Sequence, residues 1–209
     1  MSSEHVVPTG GVERQPFIPY VDEKDYPSSL KPVQDPYKKR MGFLPNALKL
    51  YMHRPEIAET LWKLNSNVMR DPSSTLDQNL KRRLGAVASK VNGCTYCTSH
   101  HCAILKSAAG SGAEGWGMAH EELMHLLQGD DEPRNEMERA CFDFVRAASQ
   151  DPGGVPDEIY ERLKAQLTPP QIVELACVAG FWKMYNTIHD SLRIPIEAHL
   201  LEDTEYVNA

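Results

Sequence analysis

Between residues 45 and 192 the apolar side chains recur every three or four positions, and nowhere do they alternate long enough to line one face of a strand. This periodicity limits the chain to amphipathic helices packed on one another. Pro55 to Arg70 carries Ile57, Leu61, Leu64 and Val68 along one side, and the turn Asp71-Pro72-Ser73-Ser74 follows. Thr75, with Gln78 three residues on, reads as a capping box for the next helix, whose stripe is Leu80, Leu84, Val87 and Val91. Asn92-Gly93 closes that helix, and another starts near Cys94 and runs to about Ala108. Further helices are predicted over Pro45–His53, His120–Gln128, Asn135–Gln150, Pro156–Leu167 and Pro170 to about Leu192.

The glycine-rich stretch Gly110–Gly117 follows no strand and lacks a Gly-Lys-Ser/Thr step, so it reads as a turn rather than a phosphate cradle. The hairpin from Pro55 to Cys94 is weakly echoed by the one from Pro156 to Tyr185, with Leu76 matching Leu167. The predicted fold is therefore all-α, a helical bundle with two similar helical hairpins.

Six prolines punctuate residues 1–36, and this stretch is expected to be extended and irregular. Phe17, Tyr20 and Tyr26 favour an arm docked on the domain from about residue 16. The expected organisation is a flexible tail over 1–15, one helical domain over 16–200, and an acidic tail over 201–209.

The formal charge of −7 and pI near 5.6 argue against nucleic acid or an anionic membrane surface as partner. Mean hydropathy is −0.46, and no apolar run approaches the ~18 residues of a membrane span. The first ten residues show neither a basic nor an apolar signal region, so a cytoplasmic location is expected.

Five cysteines are present, and Cys94, Cys97 and Cys102 fall within nine residues. An odd, clustered set argues against a disulfide scaffold and for catalysis or metal binding. Asn92-Gly93 places Cys94 at a helix N-terminus, where free N–H groups and the helix dipole favour a thiolate. Cys97 and His101 follow at three- and four-residue steps and share one helix face, so the histidine can accept or relay the thiol proton. A redox dithiol is the leading reading. A metal site from Cys94, Cys97 and His101, completed by His189 or Asp190, is the other chemical reading. Cys141 and Cys177 lie in apolar stripes and read as buried inert thiols, while Cys102 has no assigned role. Phe181, Trp182 and Tyr185 read as core or subunit contact, His189-Asp190 as a surface or interhelix polar pair, and His120 and His125 as bystanders.

The stretch Arg82-Arg83-Leu84-Gly85-Ala86-Val87-Ala88-Ser89-Lys90-Val91-Asn92-Gly93-Cys94-Thr95-Tyr96-Cys97-Thr98-Ser99-His100-His101 resembles the core of the AhpD-like alkylhydroperoxidases, within the carboxymuconolactone decarboxylase superfamily. Gly42-Phe43-Leu44-Pro45-Asn46-Ala47-Leu48, followed by His53-Arg54-Pro55, is similar to the N-terminal half of its longer peroxidase-related members. The resemblance covers roughly residues 16–200 and implies an AhpD-like bundle that assembles as trimers, or as dimers and hexamers.

By position it implies Cys97 as the peroxidatic thiol, Cys94 as the resolving thiol and His101 as proton relay. It implies a hydroperoxide substrate, a dithiol or thioredoxin-like reductant, and no cofactor. The relay glutamate of such proteins falls at Arg82 here, twelve residues before Cys94, and arginine cannot serve as a base at neutral pH. Arg82 can instead stabilise a thiolate or bind an anionic substrate, and Glu174, His189 and His100 are candidates for the missing relay. A non-redox lyase of the decarboxylase type, handling an anionic substrate with Arg82 and His101, is the alternative outside redox chemistry.

Overall fold

The helical spacing is realised as a bundle, seen in a computed structural model that describes residues 15–107, 116–130, 133–200 and Tyr206. Most of the two expected tails and of the 110–117 loop lies outside these residues. The helices are α1 (Lys31–Met41), α2 (Asn46–Tyr51), α3 (Pro55–Arg70), α4 (Gln78–Val91), α5 (Thr95–Lys106), α6 (His120–Gln128), α7 (Glu136–Gln150), α8 (Asp157–Gln166) and α9 (Pro169–Ser191). No strand occurs among the described residues, and no helix among them is long and apolar enough to cross a membrane.

α4 lies at the centre. It packs against α5, α7 and α9, with α3 and α6 beside them, and every residue from Asn79 to Ser89 is buried. Two of its buried cations, Lys81 and Arg83, are paired with carboxylates. The Lys81 ammonium bonds Glu174 at 2.6 Å, Ser74 Oγ at 2.7 Å and the Val68 carbonyl at 2.9 Å, while Arg83 grips the Glu138 carboxylate with both terminal nitrogens. Buried charges hold only when paired in this way. At Gly85 the packing leaves no room for a side chain, since a Cβ there would stand 2.4 Å from His101 Cε1 and 2.6 Å from Trp182 Nε1. Glycine is what lets α5 and α9 close on α4 at this level.

The two hairpins, α3–α4 and α8–α9, are both present. Several expected boundaries are corrected. α4 is capped by Asp77, whose side chain accepts the Leu80 N–H at 3.0 Å, and Thr75 instead donates to the Glu174 carboxylate. The capping box occurs on α9, between Thr168 and Gln171.

The proline-rich segment is not extended to residue 36. Two short 3₁₀ turns, Glu23–Asp25 and Ser28–Leu30, lead into α1, with Pro32 in its first turn and Pro36 inside it. Pro32 gives up an N–H that has no helical partner there, and Pro36 forfeits one helical hydrogen bond. The burial of Leu30 and Val33 against Leu44, Leu48 and Ala58 offsets that loss. Apolar burial of this kind is worth ~1.5–3 kcal/mol per large side chain. The docked arm is present: Phe17 N–H donates to the Leu192 carbonyl, and Ile18 and Tyr20 pack beside Cys94, Tyr96 and Cys97. Of the two cysteines read as buried, Cys141 is buried, whereas Cys177 is exposed on the outer side of α9.

Candidate active site

The site begins at the break between α4 and α5. Gly93 adopts φ +76°, a left-handed conformation that glycine accepts without strain. Gly93 N–H then reaches the Lys90 carbonyl and Cys94 N–H reaches the Ser89 carbonyl, each at 3.0 Å. This Schellman motif closes α4 and delivers Cys94 as the N-cap of α5. Its sulfur accepts the Cys97 N–H at 3.4 Å, taking the place of the usual capping oxygen.

The end of α9 uses the same device. Ile194 N–H bonds the His189 carbonyl at 3.1 Å, and Arg193 adopts φ +52°. The backbone of His189 is thereby fixed where the ring meets the thiols. His189 Nδ1 lies 2.9 Å from Cys97 Sγ. Tyr51, Tyr96 and Tyr185 surround the imidazole, with ring centroids 5.9, 5.0 and 5.4 Å away. The donor atoms of Cys94, Cys97 and His189 all lie within 4.8 Å of one another, and all three residues are buried.

The two thiols are driven apart in acidity. Burial opposes ionisation of Cys97, but the S–H of Cys94, the charge and hydrogen bond of His189, and a hydrogen bond from Asn186 overcome it and hold the thiol well below its ordinary range. The hydrogen bond given to Cys97, followed by burial, pushes the Cys94 thiol well above its ordinary range. These contacts favour Cys97 as the thiolate and Cys94 as its donor. Asn186 is itself held, by Asn92 at 2.8 Å and Ser89 at 3.1 Å.

Cys97 opens onto a cavity of about 100 Å³ that Cys94 does not line. Its walls include the aromatic side chains of Tyr37, Tyr51, Trp62, Trp182 and Tyr185, and His101 and Arg82 also face it. Four residues of this wall hold buried polar atoms with no partner among the described residues: His189 Nε2, Tyr51 Oη, Trp182 Nε1 and both nitrogens of His101. Buried polar atoms are almost always paired, so these atoms are able to hydrogen-bond a ligand or water in the cavity. Burial, then the charge of Arg82, holds His101 well below its usual range, leaving a neutral imidazole.

The structure therefore brings His189 to Cys97, where sequence spacing pointed to His101. On α5 the ring of His101 turns into the cavity and meets Trp182 edge-on at 4.1 Å. Arg82 stands beside it in the cavity wall. Glu174, a candidate for the relay, is committed to Lys81, Ser74 and Thr75 away from the thiols, and Arg83 to Glu138. The metal reading narrows likewise: among the described residues the cluster is Cys94, Cys97 and His189, with His101 and Asp190 outside it. Cys102 is packed in the main core. Sequence reading missed Tyr51, Asn186 and Glu197. Asn186 carried a signal, as a polar residue one helical turn before His189 on the buried face of α9.

Glu197 fastens the segment after α9 to α5 and α2. It accepts Nε2–H of His100 at 2.7 Å, the Tyr96 hydroxyl at 3.1 Å and the Asn46 N–H at 2.6 Å. Burial raises the cost of its charge, yet these bonds, led by His100, pull its carboxyl from 4.5 to about 2. A depressed carboxylate contributes stability above its unfolded value and loses it as pH falls through the folded one. Folding stability should therefore fall by about 2–3 kcal/mol between pH 4.5 and pH 2 from this group alone. Urea midpoints measured across that range should drop more steeply in the wild type than in Glu197→Gln. Parallel slopes would show that the carboxylate contributes nothing.

No protein-family model and no curated protein sequence matches the chain. Solved structures do. The apo form of the debrominase Bmp8 superposes with a TM-score of 0.75 at 22% identity, over 90% of this chain and 96% of that one. A cysteine-to-alanine variant of Bmp8 in complex with 2,3,4-tribromopyrrole superposes equally well, at 0.75. A peroxidase-related protein from Ralstonia eutropha JMP134, described as an alkylhydroperoxidase AhpD core, gives 0.73 at 18% identity over 88% and 94% of the two chains. A peroxidase-related protein from Silicibacter sp. TM1040 gives 0.73 at 20% identity over 87% and 91%. At these identities the likeness shows the fold, and that fold is AhpD-like.

Proposed function

We propose that this chain is a thiol-dependent reductase that turns over a small hydroperoxide at Cys97. One observation carries the reading: the contact of Cys97 Sγ with His189 Nδ1 at 2.9 Å, at the wall of a cavity with unpartnered polar atoms. The thiolate is the reactive form of cysteine, and a partner that holds the proton keeps it in that form. Cys97 attacks the terminal oxygen of the hydroperoxide, and the O–O bond breaks. The alkoxide takes the proton held at His189 and leaves as the alcohol, and Cys97 is left as the sulfenic acid. Cys94 then attacks the Cys97 sulfur, water leaves, and the two form a disulfide. An external dithiol of the thioredoxin type returns both thiols, supplying the two electrons that the peroxide took.

His101 supplies a neutral hydrogen-bonding nitrogen for the departing oxygen, and Arg82 an adjacent positive charge. The test is mass spectrometry of reduced protein treated with one equivalent of cumene hydroperoxide. A Cys94–Cys97 disulfide, or a Cys97 sulfenate, supports the reading. Loss of peroxide with neither product overturns it, and activity that survives the double change Cys94→Ser, Cys97→Ser would point to the non-redox lyase.

A second reading is favoured by the aromatic walls, which suit a flat ring better than a small peroxide. It is reductive dehalogenation of a small aromatic compound, the class of the debrominase with the same fold. Cys97 would take the halogen, a proton would replace it on the ring, and disulfide formation would release halide. Bromide release from a brominated pyrrole, measured beside peroxide consumption, separates the two.

A further inference from the structure

The three donors at the head of the cavity match another chemistry. We propose that Cys94, Cys97 and His189 bind one zinc ion reversibly, and that the ion holds the dithiol in an inactive, protected form. The binding stands on geometry alone, whereas the protective role rests on the thiol-reductase reading.

Two thiolates and an imidazole are a donor set that zinc accepts and that magnesium and calcium, which require oxygen, do not. A tetrahedral zinc ion with Zn–S of about 2.3 Å and Zn–N of about 2.0 Å places sulfurs about 3.8 Å apart and sulfur and nitrogen about 3.5 Å apart. All three donor atoms already lie within 4.8 Å of one another. The Cys97–His189 contact of 2.9 Å must open by about 0.6 Å to admit the ion.

The surroundings favour a cation bound through sulfur. Cys94 Sγ accepts a backbone N–H, which disperses thiolate charge, and Asp190 acts electrostatically on the same sulfur. His189 Nε2 has no partner among the described residues, so the ring can carry its proton there and offer Nδ1 to the metal. The chain supplies three ligands, and two of them, Cys97 and His189, line the cavity, from which water can reach a fourth position. A three-ligand site of this kind exchanges more readily than a closed four-ligand one.

Binding and oxidation then exclude each other. Zinc uses the sulfur lone pair that Cys97 would direct at a peroxide, and it releases the Cys94 proton on binding. Disulfide formation, with the two electrons passing to the hydroperoxide, removes both thiolates and expels the ion.

The experiment titrates reduced, chelator-treated protein with Zn²⁺ in competition with a chromophoric chelator. Co²⁺ is used in parallel, to read sulfur-to-metal charge transfer. One equivalent is expected in the wild type and in Cys177→Ser, with affinity falling at least tenfold in Cys94→Ser, Cys97→Ser and His189→Gln. Wild type first oxidised to the disulfide should bind none, which tests the site without any substitution. Stoichiometric binding that persists in His189→Gln, or in the oxidised protein, overturns the proposal. No binding by protein that still forms the Cys94–Cys97 disulfide overturns the zinc site and leaves the reductase reading standing. Binding without disulfide formation does the reverse.

Discussion

Cys97→Ser is expected to lower thiol-dependent turnover by at least about 10³-fold, while Cys94→Ser stops the cycle later. The asymmetry follows from where the sulfurs point. Cys97 lines the cavity and Cys94 does not, and hydrogen bonding between them makes Cys97 the thiolate and Cys94 the donor. A serine at 97 is un-ionised at neutral pH and cannot attack an O–O bond. A serine at 94 keeps an O–H that can donate to Cys97, so the first oxidation should still occur. It should halt at the sulfenic acid, because no second thiol condenses with it. Stopped-flow peroxide consumption should therefore show no burst in Cys97→Ser and a single stoichiometric burst in Cys94→Ser, with the sulfenate captured by a dione reagent. A burst in Cys97→Ser and none in Cys94→Ser would mean that the roles are reversed.

The second large effect belongs to His189. Replacing it by glutamine removes the charge that favours the Cys97 thiolate against burial and leaves at most a neutral amide hydrogen bond. The thiol should then ionise at higher pH, and the rate at pH 7 should fall about 10²-fold. The sign of the pH dependence identifies the cause. Thiolate rises with pH, so raising the pH should restore part of the loss in His189→Gln while the wild type stays flat. Alkylation by iodoacetamide against pH reads the same ionisation without any substrate. An unchanged alkylation profile in His189→Gln would remove His189 from the activation of Cys97. His101→Gln should leave that profile in place, since His101 bonds no thiol and stays neutral.

Much of this architecture could be read from the chain. The stripe Ile57, Leu61, Leu64 and Val68 set α3 at Pro55–Arg70, and Asn92-Gly93 set the break that makes Cys94 an N-cap. These signals are local: a helix face, a left-handed glycine, a cap. What could not be read is what depends on distant parts meeting. His101 shares a helix face with the cysteines, yet α4 and Trp182 turn its ring into the cavity, and the thiolate's partner comes from a helix 92 residues further on. The expectation of an extended chain to residue 36 fails for a similar reason, since local rules weigh the hydrogen bond lost at Pro36 and not the core that Leu30 and Val33 find. Cys177 sat in an apolar stripe, but α9 is apolar around much of its circumference, so sequence alone did not show which side faces out.

That 92-residue separation has a consequence for the chain as it is made. When Cys97 emerges from the ribosome, α9 has not been synthesised, and the groups on it that acidify the thiol do not exist. The nascent cysteine is an ordinary, mostly protonated thiol, slow to react with oxidants. Its acidity is complete once α9 docks and carries His189 and Asn186 into place beside Cys94. Docking of α9 on α5 thus arms the thiol.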